Sequence, residues 1–374
     1  MIARMLRRTS VREALRIAAL LGPSALAGTS ALEGQQNALW YISTYTRDVL
    51  VWDEASEQVI ARIETGSPIQ RTIQPNEART RLYVHDASSQ VVEIVDVAQR
   101  RVVDSFTLSD GNVTVRIAGF QPHPSDERAV MSVKRYTKLI DRYVVEGPFI
   151  LEYDIRTKQV TDTIPWPGGQ ERENVNFRYS PDGATLYFFV DDIIAVDAET
   201  YEEIDRWAIS EPLEPGLGRA NFGTNSGTYD DPGVSTSFYR MTDPAQNRSM
   251  LGIARVRLAD REVDFYTLGT NESVGNFTLA PGGEKAYALY TEIGRYEFWE
   301  LDLVGRRLAR RQPFQGRPRM SLGVSADGRK LYIYGAGNTI EVHDAVTFEH
   351  LRSVTLDEDM RNAVIIPAGS GTEP

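Results

Sequence analysis

One phrase recurs along this chain and leaves few folds open. It is clearest at Ser180, where "SPDGATLYFFVDDIIAVDAET" runs a Pro-Asp-Gly turn into an apolar strand, a two-acid corner, a second apolar strand and an Asp-x-x-Thr turn. Variants begin at Gln74 ("QPNEARTRLYVHD"), Gln121 ("QPHPSDERAVMSV"), Ala280 ("APGGEKAYALY") and Ser325 ("SADGRKLYIYG"). Their spacing is about 45 to 60 residues, except for one double-length gap after Pro181. That gap holds a degenerate unit with strands in "GVSTSFYRMT" and "SMLGIARVRLADREVDFYTL", and "GRANF" as a candidate first strand. A further unit, "ALWYISTYTRDVLVWDEASEQVIARI", has no strand ahead of it, and "RNAVIIPA" near the C-terminus is a strand to spare.

Four strands per unit at this period describe a β-propeller, and the units number seven. The expectation is an all-β, seven-bladed ring over residues 37–367. Its first blade borrows Asn362–Pro367 to pair beside Ala38–Thr44, so that no sheet edge is left open. Residues 1–36 read as a signal peptide and short leader, and 368–374 as a disordered tail. The leader reading rests on "MIARMLRRTSVREALR", an uncharged stretch from Ile17 to Leu32, and an Ala25-Leu26-Ala27 site. It implies export, to the periplasm or beyond. Net charge is −11, and removing a leader with five arginines would leave a more acidic protein, unsuited to nucleic-acid phosphates.

Cysteine is absent, which excludes a disulfide, a thiolate nucleophile and covalent haem attachment through CxxCH in this chain. The four histidines, His85, His123, His343 and His350, fall in separate places with no metal-ligand spacing, and read as structural. Asp191-Asp192 and Asp230-Asp231 read as solvated turn formers rather than acid–base pairs. Trp40, Trp52, Trp207 and Trp299 lie in strands and read as core, while Trp166, between two prolines, reads as a candidate for exposure. No catalytic or metal-binding residue is assigned.

The units that break their own rule are more informative. The third has a middle join, Arg135–Gly147, about ten residues longer than its counterparts, and the fifth adds Asn225–Gly233 and Asp243–Ser249. The second-to-third joins share one face of a propeller, so 135–147 and 243–249 are expected together, with Tyr290 in the matching join of the sixth unit. Tyr136, Arg142, Tyr143, Tyr239, Arg240 and Tyr290 are the candidate partner- or substrate-facing residues.

From about residue 37 to 368 the chain resembles the propeller (beta) subunit of quinohaemoprotein amine dehydrogenases, within the wider YVTN-type group. The resemblance is carried by "APGGEKAYALYTEIGRYEFWELDL", "GVSADGRKLYIYGAGNTIEVHDAVTFEHL", "STSFYRMTDPAQNRSMLGIARVRL" and "KRYTKLIDRYVVEGPFILEYDIRT". It implies a chain without a cofactor of its own. Such a subunit supports a small chain carrying cysteine tryptophylquinone and a dihaem cytochrome c chain, and the assembly oxidises primary amines in the periplasm. Two other classes compete: a stand-alone exported propeller that acts as a binding or surface protein, and a propeller enzyme such as a lactonase. The last needs a convergent polar or metal-binding cluster that these residues do not supply.

Overall fold

The repeated turns form by the same side-chain chemistry wherever they occur. In the computed structural model, Asp182 Oδ1 accepts the Ala184 N–H (3.1 Å) and Ser180 Oγ accepts that of Thr185 (3.0 Å), with Gly183 at φ 76°. Asp327, Ser325 and Gly328 repeat this arrangement at the start of the last unit. The outer turn is equally regular. Asp197 Oδ1 accepts the N–H groups of Glu199 and Thr200, and Asp344 Oδ1 those of Val346 and Thr347, at 2.7–2.9 Å. A carboxylate that satisfies two turn amides ends one strand and starts the next, at a position where the backbone could not reach a partner strand.

The structure describes residues 37–369, apart from 68, 69, 174, 210, 213–215, 217, 225 and 336. The predicted leader (1–36) and most of the predicted tail (370–374) therefore lie outside the described residues. Among those described, twenty-eight strands make seven four-stranded antiparallel sheets. In chain order, 38–64 give the outer three strands of blade 1, 70–107 blade 2, 113–164 blade 3, 176–207 blade 4, 221–270 blade 5, 274–314 blade 6 and 321–355 blade 7. Met360–Pro367 then returns as the inner strand of blade 1.

Closure follows the expected register, with Ala38 opposite Pro367 and Ser43 opposite Asn362. Pairing runs one residue beyond the expected end, because the Ala368 N–H reaches Asn37 O at 2.8 Å. The seam between blades 7 and 1 is filled by Trp40, Trp52 and Tyr332, all fully buried and edge-on to one another with centroids 5.0–5.6 Å apart. Among them Glu54 accepts Trp40 Nε1–H (3.3 Å) and the Ala326 N–H (3.0 Å), and burial raises its pKa to about 7. The sheets pack face to face through separate apolar clusters, because successive strand residues point to the two neighbouring blades. One propeller face carries the repeated turns (the turn face), and the other carries the second-to-third joins (the join face).

Candidate functional site

On the join face, blade 3 grows beyond the ring as a three-stranded flap. Its inner strand starts early, at Val113, its second runs to Lys138, and its third begins at Tyr143. The predicted long join is thus mostly ladder: Lys138 pairs with Tyr143, Tyr136 with Val145 and Thr114, and only Leu139–Arg142 turn. Register shifts at Ile117/Gly119 and at Glu146/Phe149 mark where the flap leaves the blade. Bulges of this kind re-aim a strand. Gly147 serves the second, with a φ of 93° that a side chain would strain.

Alternation then sorts the flap's two faces. Val113, Val115, Ile117 and Val133 point one way, into the core between blades 2 and 3. Tyr136, Tyr143 and Val145 point the other way, with Tyr143 and Val145 exposed and Tyr136 half-buried. At the tip, Leu139 is exposed and Ile140 fully so. Arg142 is exposed and pairs with Asp141 at 3.2 Å. Sequence reasoning passed over Leu139, Ile140, Val144 and Val145; the signal was the apolar run "YVV" opposite "RYTKLI", which has no core to enter.

The other three candidates are placed differently. Tyr239 is fully buried in blade 5, with its hydroxyl 2.6 Å from Thr267 Oγ1, and its ring fills the space that a Gly252 side chain would need. Tyr290 is buried within a strand of blade 6, stacked on Trp299 and overlain by Arg295 and Arg311. Neither is presented to a partner, since strand alternation turns both inward. Arg240 is exposed, but its guanidinium bonds Asn271 Oδ1 (3.1 Å) and Val274 O (2.7 Å). The Asp243–Ser249 join is a hairpin end, with Pro244–Asn247 turning between the paired residues Asp243 and Arg248.

The histidines stay apart in function. Burial lowers His85 to a pKa of about 4, and His123 bridges Ser125 and Gly183 O. His343 and His350 are neighbours, 5.3 Å apart, but His343 Nδ1 is satisfied by Phe348 O and His350 by Glu341. Among the described residues no three His, Asp or Glu side chains are grouped to hold a metal ion. Asp191 is ion-paired to Arg172 and Arg219, which hold its carboxyl below the usual range. Trp207 and Trp299 are buried like Trp40 and Trp52, whereas Trp166 is half-buried and donates to Pro148 O (3.0 Å).

Asp230 corrects the expectation of a solvated turn former. It lies in 226–233, a segment that follows the two-residue inner strand of blade 5, Asn221–Phe222. From there the chain reaches the far side of the ring. Tyr229 Oη donates to Val324 O of blade 7 (3.1 Å), and Thr228 O accepts from Arg79 of blade 2 (2.6 Å). Blades 5 and 2 stand three or four places apart, so the segment crosses the mouth of the central channel on the turn face. Asp230 accepts from the N–H groups of Gly227 (2.8 Å) and Thr236 (3.2 Å) and from Thr236 Oγ1 (2.7 Å), and burial raises its pKa.

Beneath this strap is a cavity of about 1200 Å³, lined by five arginines and three acids. No feature of the individual repeats announced it, because its charged residues are distributed over blades 2, 4 and 5.

The fold has solved counterparts, at low identity. Apo AztD from Citrobacter koseri matches with a TM-score of 0.56 at 13% identity, over 90% of this chain and 99% of that one. A functionally unknown protein from Desulfotomaculum acetoxidans matches at 0.54 and 15%, covering 88% and 99%. The dihydro-heme d1 dehydrogenase NirN in complex with DHE matches at 0.51 and 12%, covering 92% and 79%. Identities this low speak for a shared propeller fold alone. No protein-family model and no curated protein matches the chain by sequence.

Proposed function

We propose that this chain is a non-catalytic propeller subunit of a periplasmic assembly of the quinohaemoprotein amine dehydrogenase type, and that partner chains dock on its join face. The observation that carries the reading is the blade 3 flap. It is a hydrogen-bonded extension whose outward face offers Tyr136, Tyr143 and Val145, and whose tip exposes Leu139 and Ile140. Apolar side chains held out in water on a preformed ladder lose little entropy when they are covered, and aromatic anchors dominate such interfaces. The partners are a small chain bearing cysteine tryptophylquinone and a dihaem cytochrome c chain, as the sequence resemblance implies. Those chains would hold the redox groups and the amine chemistry, and this chain would hold them in register.

Co-purification tests this. The full chain is expressed with a dihaem cytochrome c chain and a small cysteine-rich chain encoded in the same genome, beside a Tyr136→Ala/Tyr143→Ala variant with an unchanged melting curve. Wild type should capture both partners. The variant should bind about 30-fold more weakly, the equivalent of roughly 2 kcal/mol. Equal capture by both would place docking elsewhere. A wild type that captures neither would favour the stand-alone exported binding propeller, a reading that the channel cavity supports.

A further inference from the structure

The channel's charge runs against that of the protein. The chain has 52 acidic and 41 basic residues, yet five arginines face three acids along this cavity. Three of the arginines form one group at the turn-face end, although they come from different blades. Arg79 is in the first turn of blade 2, Arg178 on the inner strand of blade 4, and Arg255 on the third strand of blade 5. Glu77 acts electrostatically on both Arg79 and Arg178, and Asp230 on both Arg178 and Arg255, which ties the three together.

None of the three has a carboxylate within ion-pair distance among the described residues. Their hydrogen bonds go to neutral oxygens: Arg79 to Thr228 O (2.6 Å), Arg178 to Val234 O (3.2 Å), and Arg255 to Thr236 Oγ1 and Gly283 O (both 3.1 Å). Arg178 is the most telling. It is only 9% exposed, it lines the cavity, and one bond from Nη1 occupies it while Nε and Nη2 have no partner among the described residues. A guanidinium carries five donors in a planar fork, and burying it without an opposing charge is costly. That cost falls when an anion enters, and a low-dielectric cleft with an excess of one sign of charge concentrates the field on the ligand. Tyr229, Gln74 and Gln121 add hydrogen-bonding groups to the wall.

We infer that the channel beneath the blade 5 strap binds a compact polyvalent oxyanion, held by Arg79, Arg178 and Arg255. The chemistry common to its possible sources is two or more negatively charged oxygens on a small molecule, as in a di- or tricarboxylate or a phosphate. Guanidinium forks match either geometry in bidentate fashion. The site is independent of the flap, and does not rest on the identity of any partner chain.

The test is calorimetric titration of the full chain, at low ionic strength, with citrate and with inorganic phosphate in separate arms. At least one should bind at a single site, and the arm that does so identifies the oxyanion. Arg178→Met should weaken that binding at least tenfold, and Asp230→Asn, which removes a negative charge from the wall, should tighten it. Should Arg178→Met fail to fold, Arg255→Gln carries the same expectation. Arg306→Gln, on the outer surface where Arg306 pairs with Asp264, should change nothing. Absence of binding in both arms would overturn the inference. So would binding that is indifferent to Arg178 and Arg255.

Discussion

Blades 3 and 5 both depart from the repeat, in opposite directions. Blade 3 adds its extra residues as paired strand outside the ring, lengthening three strands at once. Blade 5 gives up most of its inner strand and lays the residues across the channel. What separates them is where the backbone amides and carbonyls find partners. The "KRYTKLIDRYVVEG" stretch of blade 3 is rich in β-formers and can satisfy itself as a hairpin. The "SGTYDDPG" stretch of blade 5 makes no ladder, so its Thr228 carbonyl takes a donor from Arg79 of blade 2, while Arg178 of blade 4 donates to Val234 O where the next strand begins. An apolar insertion that pairs with itself ends on the surface. A polar one that cannot must be held inside.

That contrast presupposes a closed ring, and the largest predicted effect removes the closure. A chain ending at Asp359 loses Met360–Pro367 and leaves the strand Ala38–Thr44 unpaired along one edge. Its Tm should fall by about 10 °C or more and its solubility should drop. An unchanged melting curve would mean that the ring does not depend on this strand.

The next effect compares two tyrosines that look alike in sequence. Tyr239→Ala empties a fully buried site in blade 5 and should cost about 4 kcal/mol of stability in denaturant unfolding. Tyr143→Ala, on the outward face of the flap, should cost less than about 0.5 kcal/mol. Similar values for the two would erase the distinction between core blade and exposed flap.

The smallest effect belongs to the strap. Burial holds the Asp230 carboxyl above its ordinary pKa, so the folded state binds that proton more tightly than the unfolded chain does. The group's contribution to stability is therefore full below the unfolded pKa, and is lost as pH rises through the folded one. Asp230→Asn keeps an oxygen acceptor for the Gly227 and Thr236 N–H groups and avoids the buried charge. It should be at least as stable as wild type at neutral pH, and its advantage should vanish on acidification. A variant less stable at pH 7 than at pH 4, relative to wild type, would show that the carboxylate charge holds the strap.

Local chemistry determined the blades. The Ser-Pro-Asp-Gly and Asp-x-x-Thr turns, the period and the strand missing at one end and spare at the other were enough for seven blades and the Ala38–Thr44 closure. These features act through neighbours a few residues away, and a sequence displays those directly. Tyr136, Arg142 and Tyr143 were visible as an interruption of the repeat, although their arrangement as a ladder with an outward face was not. Tyr239 and Tyr290 misled because the face on which a strand residue lies depends on the register with its neighbours, and an irregular blade obscures that register. The channel lay furthest from view. Arg79, Arg178 and Arg255 are distant in the chain and unremarkable in their own repeats, and only the closing of the ring turns them toward one axis. Electrostatics sums over distance in space, so their shared field, and the strap held over it, came into being with the tertiary structure.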